Sequence, residues 1–350
     1  MFKGMIRRII FILCFVTLAV SSFAQIGGNY TYNFLDMPAT SRIRGMGGNM
    51  ISMKDDDPGA ASDNPSLLHA AMDRTLILSY TDYYAGINNL FSSYTFDTKI
   101  GTFNSAIRYL DYGTFREADE GNNETGSFTA NEMALIAGYG RAIDSSFSVG
   151  ANAKLIYSNL YLAYSIGMAV DLSATYEIKK SLFVATMLIK NVGTQFKPYV
   201  PGEREPLPFD IQFGISKSFK RMPFRFSLIV HQLAKGNLTY EPLPTGSSNS
   251  FGGEEEVDRS QTTAENVLRH FIIGTEFVPF KGMNFQIAYN FQRRKEMAYS
   301  ERPGTVGLSW GFGIRISKLH INYARSAYHL AGSPNHLTVL TKFSDWSKKE

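Results

Sequence analysis

From Thr75 onward the chain alternates between apolar residues and small or polar residues with a period of two. In the segment 147–157 the odd-numbered positions are mostly apolar, and the segments 283–292 and 306–316 repeat the pattern. Successive side chains of a strand point to opposite faces, so each segment has one apolar face and one polar, glycine-rich face. The pattern predicts β-strands, because a helix would scatter the apolar positions around its circumference.

The same alternation predicts about 14 strands, most of them about ten residues long or longer. A strand of about ten residues tilted near 40° spans about 25 Å, which is the height of the apolar band of an outer-membrane barrel. The predicted strands are 75–84, 89–97, 99–112, 130–141, 146–159, 164–177, 181–192, 209–218, 223–233, 268–278, 282–293, 305–317, 319–328 and 335–344.

The predicted connections are sorted by length. Short turns follow the even-numbered strands, and the large loops 113–129, 193–208, 234–267 and 294–304 follow odd-numbered strands. Outer-membrane barrels have this asymmetry, with short periplasmic turns and long extracellular loops. The sequence therefore predicts an all-β fold, an antiparallel outer-membrane β-barrel with apolar residues outside and both termini in the periplasm. A periplasmic β-sandwich or an open β-solenoid is the alternative.

The first residues predict a signal peptide over 1–24. Basic residues precede an apolar run at 9–20, and a small-x-small cleavage site ends at Ala24. An N-terminal anchor is the alternative, but a spanning helix needs roughly 20 apolar residues. Cleavage would reduce 35 basic and 31 acidic residues to 32 and 31, so the net charge would fall from +4 to +1 and give no support to nucleic-acid binding. It would also remove Cys14, the only cysteine, which excludes a disulfide scaffold, a Cys–zinc site and a thiol nucleophile.

Residues 25–74 lack the alternation and are expected to form a hatch, a plug in the lumen of a barrel built from residues 75–350. A short helix is expected near Asn64-Pro65, because Asp63 or Asn64 can cap free N–H groups and proline suits a first turn. The residues expected to define the hatch are Gly47, Gly48, Asp56, Asp57, Asn64 and Pro65.

This segment resembles the hatch of the FadL-like family of outer-membrane barrels. That hatch has an Asn-Pro-Ala element after a glycine-rich stretch, and here Ser66 stands in place of the alanine. The elements that carry the resemblance are Pro38, Ser41-Arg42, Gly45-Met46-Gly47-Gly48, Asp56-Asp57 and Asn64-Pro65-Ser66-Leu67.

Further elements carry a second resemblance: Gly27-Gly28, Thr31-Tyr32, Phe34-Leu35, Tyr109, and the segments 112–115, 126–132, 149–158, 190–195 and 204–209. On these elements the predicted mature chain is most similar, within that superfamily, to the PorQ family, outer-membrane components of the type IX secretion system. The resemblance implies a non-catalytic role in anchoring or docking the cargo attachment machinery at the cell surface, with the surface protein PorZ and other attachment proteins as partners and outer-membrane lipid around the barrel. The loop residues expected to contact partners are Tyr112, Gly113, Phe115, Gly126, Phe128, Arg204, Glu205, Pro206 and Pro208.

The alternative function is the FadL-like transport of a hydrophobic small molecule. It would require an apolar pocket between hatch and wall and a break in one strand. Catalysis is not expected, because the six histidines form no HExxH spacing and no nucleophile elbow is present. We expect no cofactor.

Two acidic clusters, Asp55-Asp56-Asp57 and Glu254-Glu255-Glu256 with Asp258, have the hard oxygen ligands that Ca²⁺ prefers. Neither has the ligand spacing of an EF-hand loop. We therefore expect a solvated turn or a salt bridge within the hatch for the first and a solvated loop for the second.

Two other features leave alternatives open. Lys154 and Arg315 could line a pore, although pairing with acidic residues of the hatch is favoured. The four prolines between positions 198 and 208 stiffen the loop before the eighth strand, which suits either a preformed contact surface or an ordered lid.

Overall fold

The computed structural model describes residues 30–238, 263–298, 304–328 and 332–347, so the predicted signal peptide lies outside the described residues. Fourteen antiparallel strands form one closed barrel, in which β1 pairs with both β2 and β14. The predicted fold class is confirmed. The strands are β1 (Thr75–Asp82), β2 (Asn88–Thr98), β3 (Gly101–Ala118), β4 (Glu124–Ala142), β5 (Phe147–Leu160), β6 (Ala163–Ile178), β7 (Phe183–Lys197), β8 (Asp210–Ser218), β9 (Phe224–Val230), β10 (Phe271–Phe280), β11 (Met283–Asn290), β12 (Leu308–Ile316), β13 (Leu319–Ser326) and β14 (Asn335–Lys342).

The barrel buries polar residues inside and exposes apolar residues outside. In β5, Leu155 is 53% exposed, whereas its neighbours Lys154 and Ile156 are buried on the inner face. Asn152 and Ser158 share that inner face. A soluble β-sandwich would bury its apolar faces instead, so the fold is that of an outer-membrane β-barrel. Among the described residues no helix is long and apolar enough to cross a membrane.

Aromatic rings form rows on the outer wall near the ends of the strands. Phe96 stacks on Phe103 with ring centroids 5.5 Å apart, and Phe103 contacts Tyr139 at 5.0 Å. Phe224 and Phe277 make a similar cross-strand contact at 4.9 Å. Such pairs stabilise neighbouring strands, and aromatic belts mark the interfaces of membrane barrels.

The connections follow the predicted asymmetry. Turns after even-numbered strands, such as 99–100 and 317–318, are short and define the short-turn rim. The opposite end, the long-loop rim, carries the connections 198–209, 231–270 and 291–307.

Four predicted loops need correction. Most of 113–129 is strand, because β3 and β4 continue as a paired hairpin beyond Gly113. The loop 193–208 starts only after Lys197, and helices occupy parts of 234–267 and 294–304. These helices are α3 (Thr263–Arg269) and α4 (Phe291–Met297), which follow the two helices of the hatch described below.

Residues 30–74 of the hatch lie in the lumen and contact inward-facing residues around the barrel. The backbone N–H of Ser41 donates to Thr338 in β14 at 2.8 Å, and that of Ser66 donates to Ser173 in β6 at 2.9 Å. The hatch contains α1 (Ser41–Gly45), α2 (Pro58–Asp63) and 3₁₀ turns at Asn33–Asp36, Pro65–Leu67 and Ala70–Met72.

The helix expected at Asn64-Pro65 is only a 3₁₀ turn, and the α-helix precedes it. Asn64 caps this turn by accepting from the N–H of Ser66, and Pro65 occupies its first position. The helix ends at Asp63 because Asn64 adopts an extended conformation, which the following proline favours.

An apolar layer joins the hatch to the wall on the side of β1 to β6. Phe34 and Leu67 of the hatch pack in one cluster with Phe91, Leu110 and Ile156 of the strands. Burying this layer stabilises the hatch in the lumen by about 25 cal/mol for each Å² of apolar surface removed from water.

The hatch approaches the wall very closely at Gly150 in β5. A Cβ atom there would overlap the carbonyl carbon of Pro65, so the strand needs glycine at this position.

We therefore expect Gly150→Ala to lower the free energy of unfolding by about 1–3 kcal/mol, because the added methyl group displaces the Pro65 turn. Urea titration of the refolded barrel measures this change. The control is Gly236→Ala, where an added Cβ meets nothing within 4 Å. An equal stability of the two variants would contradict the proposed close contact.

Candidate functional site

Arg42 of α1 is the centre of a charged cluster that joins the hatch to the wall. Its Nε and Nη2 donate to the two carboxylate oxygens of Glu276 in β10, at 2.8 and 2.9 Å. Its Nη1 lies 3.0 Å from Asp57, and its Nη2 lies 2.6 Å from Asp55. Arg225 of β9 reaches the same Asp55 oxygen at 2.6 Å. We call these five residues the ionic lock.

The centre of the ionic lock is buried, whereas the side chains of Asp55 and Arg225 are 23% and 20% exposed. Glu276 is fully buried, and 5% of Arg42 is exposed. Burial raises the pKa of the Asp55 carboxyl, but the guanidinium groups of Arg42 and Arg225 lower it more, so this pKa lies below its usual range. Removing one partner of a buried charge pair typically costs about 3–5 kcal/mol, because the other charge is left without compensation.

The ionic lock decides between the alternatives for Asp55-Asp56-Asp57. Asp55 and Asp57 bond to Arg42, as expected for a salt bridge within the hatch, while Asp56 is mostly exposed and contacts only His69 at 3.2 Å. Asp57 also caps α2 by accepting from the N–H of Gly59 at 2.8 Å. Among the described residues no cluster of three or more possible ligands is arranged to hold a metal ion. The second cluster, Glu254-Glu255-Glu256 with Asp258, lies outside them.

Arg108 of β3 provides a second connection between wall and hatch. Its Nη1 donates to the carbonyl oxygens of Leu35 and Met37 at 2.7 and 2.6 Å, and its Nη2 lies 3.2 Å from Asp63. The guanidinium therefore satisfies carbonyls at the end of the first 3₁₀ turn that would otherwise be buried without a donor.

Lys154 and Arg315 do not pair with the hatch, and that prediction is wrong. Lys154 lies 2.7 Å from Asp171 of the adjacent strand β6. Arg315 lies at the short-turn rim, 2.6 Å from Asp345 in α5 (Ser344–Ser347). In both cases the partner carboxylate belongs to a neighbouring strand or to the C-terminal helix rather than to the hatch. The alternation of the sequence does not predict these partners, because it does not reveal the register between strands.

The glycine pair of the hatch forms a tight turn after α1. Gly47 and Gly48 have φ values of 89° and 98°, which glycine adopts most readily. A Cβ at Gly47 would lie 2.6 Å from Ile272 of β10. The carbonyl of Gly47 accepts from Asn290 at 3.1 Å and from Arg293 at 2.9 Å, so the turn is bonded to the wall.

The remaining hatch residues hold the chain around α2. Asn64 donates from Nδ2 to the carbonyl of Ile51 at 2.5 Å, and its Oδ1 accepts from the Ser66 hydroxyl at 2.7 Å. The Ser66 side chain also bonds to Thr175 of β6 at 2.7 Å. The small polar residue at position 66 therefore connects the hatch to the wall.

The expected partner residues of the third and fourth strands lie on an ordered hairpin at the long-loop rim. Tyr112 donates to Glu132 at 2.6 Å, and Gly113, with φ 80°, forms a bulge in β3. Beyond the bulge, Phe115 stacks on Phe128 with ring centroids 5.1 Å apart and planes 17° from parallel. Gly126, opposite Glu117 in the ladder, completes this end of the hairpin.

Phe128 also packs on Tyr161, at 4.2 Å between ring centroids. Its side chain lies on the same face of β4 as those of Ala130 and Glu132, which point inward. The aromatic face of the hairpin, formed by Phe115, Phe128 and Tyr161, therefore continues the inner surface of the barrel beyond the rim.

The proline loop is built as an ordered lid. The carbonyl of Pro206 accepts from the N–H of Thr31 in the hatch at 3.0 Å, and that of Pro208 accepts from Asn191 at 2.9 Å. Arg204 and Glu205 are exposed, although the Glu205 N–H donates to Gln195 at 2.8 Å. Both alternatives from the sequence, a preformed contact surface and an ordered lid, require this order, and we call the segment 198–209 the proline lid.

Solved structures of hydrocarbon transporters and channels are among those similar to this chain. The chain is similar to the toluene transporter TodX of Pseudomonas putida (12% identity, 87% of this chain and 96% of that chain, TM-score 0.48) and to the monoaromatic hydrocarbon channel CymD (12%, 89% and 97%, 0.48). It is also similar to a Pseudomonas aeruginosa FadL homologue (10%, 87% and 98%, 0.48). Similarity at this level is no argument for a shared function or substrate.

No family model matches the chain. No curated protein matches it either.

We expect Arg42→Met to destabilise the docked hatch by about 3–5 kcal/mol, because Glu276, Asp55 and Asp57 would keep their charges without this partner. Trypsin cleavage within residues 30–74 of the folded barrel measures the release. The matched control is Arg315→Met, which removes an exposed pair and should change stability by less than about 1 kcal/mol. Adding Glu276→Gln to Arg42→Met should restore part of the lost stability, because the unpaired carboxylate is then removed. If the stability changes of the two single substitutions simply added in the double variant, the proposed interaction between Arg42 and Glu276 would be contradicted.

The ionic lock also predicts how stability depends on pH. The pKa of Asp55 is lowered in the folded state, so its contribution is fully present above the unfolded pKa of about 3.9 and is lost as the pH falls through the folded pKa. The difference in urea midpoint between the native chain and Asp55→Asn should therefore be constant above about pH 5 and shrink in stronger acid. A difference that grows as the pH falls would contradict the assignment.

Proposed function

We propose that this protein is a non-catalytic, plugged outer-membrane barrel that docks the cargo attachment machinery of type IX secretion at the cell surface. The long-loop rim would face the exterior, and the partners would be PorZ-like and other attachment proteins. The name of this system comes from the resemblance of the sequence to the PorQ family.

The observation that carries the proposal is the fixation of the hatch on several sides of the lumen. The ionic lock holds it to β9 and β10, and Arg108 holds it to β3. The Pro206 carbonyl bonds it to the lid. A hatch bonded in this way would have to break several buried charge pairs to open a channel, whereas a docking scaffold benefits from rigidity.

The aromatic face of the hairpin is the contact surface that we favour. Phe115 is 40% exposed, and it is held by stacking on Phe128 rather than by burial. Tyr161 donates to Glu117 and so fixes the third ring. Preformed aromatic surfaces contribute strongly to protein interfaces, because little side-chain entropy is lost on binding.

We expect the double substitution Phe115→Ala and Phe128→Ala to reduce co-purification of the attachment proteins with the tagged full chain by tenfold or more. Recovery from native outer membranes measures this, and cargo in living cells should remain unattached. The matched control is Phe96→Ala with Phe103→Ala, a stacked pair at the short-turn rim. Equal recovery with both variants would reject the hairpin as the docking surface, and normal cargo attachment without the gene would reject the function.

Transport of a hydrophobic small molecule is the second candidate, and it is the activity named for TodX and CymD. One feature favours it here. The apolar layer of Phe91 and Leu110 extends to Tyr112, next to the bulge at Gly113 where the β3–β4 ladder changes register. Uptake of radiolabelled toluene by cells with and without the protein tests this function, and unchanged uptake would reject it.

A further inference from the structure

A polar cavity of about 160 Å³ lies between the hatch and the wall at the long-loop end of the lumen. It is bounded by the Gly47-Gly48 turn, by the first residue of β8, by residues that follow β9, and by α4. A space of this size holds on the order of five water molecules or one small organic molecule.

Three residues that line this cavity each have one buried polar atom without a hydrogen-bond partner: Asp210 Oδ1, His231 Nε2 and Gln232 Oε1. Asp210 and His231 are each 6% exposed. Burial, with nearby His270 and Arg293, lowers the pKa of His231 to about 3, so its ring is neutral at physiological pH. Buried polar groups are nearly always bonded, so three such atoms around one cavity indicate a missing partner.

The cavity is also lined by one positive and one negative group, Arg293 and Asp210, that form no direct ion pair among the described residues. Arg293 donates to the Ser309 hydroxyl and to the Gly47 carbonyl, both at 2.9 Å, and its guanidinium lies 4.4 Å from the centre of the Tyr328 ring. None of these partners is an anion. The Asp210 carboxylate accepts from the side-chain amide of Gln212 at 2.6 Å, and Lys190 is the nearby cation, without a direct ion pair.

The other charges at the cavity are already neutralised. Lys190 lies 3.4 Å from Asp36, and Asp63 lies 3.2 Å from Arg108. The lining therefore leaves Arg293 to receive an anion and Asp210, with its unbonded neighbours, to receive a hydrogen-bond donor or a cation.

We propose that this cavity binds a small zwitterion of the α-amino acid class, with its carboxylate on Arg293 and its ammonium group on Asp210. Neither the docking role nor hydrophobic transport requires such a site. A charge-assisted hydrogen bond to the carboxylate and another to the ammonium group would supply the affinity. A ligand that lacks either charged group would bind more weakly, which would supply the specificity. Gln232, held at a φ of 54°, and His231 would complete the bonds to the ammonium group.

The test uses L-alanine, propionate and ethylamine, because the last two each lack one of the two charged groups of alanine. Calorimetry on the full chain in detergent should show that alanine binds with a Kd of about 1 mM or tighter and that propionate and ethylamine bind at least tenfold more weakly. Equal binding of all three compounds, or no binding of alanine at about 10 mM, would overturn the proposal.

Substitutions locate the site. Asp210→Asn and Arg293→Gln should each weaken alanine binding at least tenfold, and Arg315→Gln at the opposite rim should leave it unchanged. Because Arg293 also supports the Gly47 turn, Asp210→Asn is the decisive variant. Full alanine affinity in a folded Asp210→Asn barrel would overturn the assignment.

Discussion

All three guanidinium nitrogens of Arg42 bond to carboxylates, two from the hatch and one from the wall. The arrangement follows from how a membrane barrel is built. Because the apolar side chains face lipid, the interior is lined by polar and charged groups, and a segment that fills it must neutralise them. The position of the hatch is therefore set by charge pairing as well as by apolar packing. A buried ion pair adds little to the net free energy of unfolding, because both charges lose their hydration. It does favour one position of the hatch, because any other position would leave a buried charge without its partner.

The same constraint connects the hatch to the rim. The hatch is bonded to the proline lid through Thr31 and Pro206, and the lid is bonded to β7 through Asn191 and Gln195. The hatch thus holds part of the long-loop rim, the end of the barrel that we propose faces the exterior. The polar cavity lies in this region, where the Gly47-Gly48 turn meets the ends of β8 and β9. Here Arg293 and Asp210 form no direct ion pair with a described residue.

The sequence predicted the barrel well because alternation and strand length are dictated locally by the bilayer. The extension of the β3–β4 hairpin beyond Gly113 was not predicted from the sequence. A strand pair outside the membrane needs no apolar outer face, so it shows no alternation, and residues 113–129 have the composition of a loop. For the site, the carboxylates next to one another suggested a salt bridge within the hatch. The contribution of Glu276 was not predictable, since only the cross-strand register and the fold of the hatch bring it to Arg42. Lys154 was assigned a wrong partner for the same reason.

The central claim is that the ionic lock keeps the lumen closed, and electrical conductance across a planar bilayer tests it most directly. The native protein should show no steady conductance at neutral pH, whereas Arg42→Met should open discrete channels and Arg315→Met should remain closed. A native barrel that conducts steadily, or an Arg42→Met variant as closed as the native one, would contradict the account.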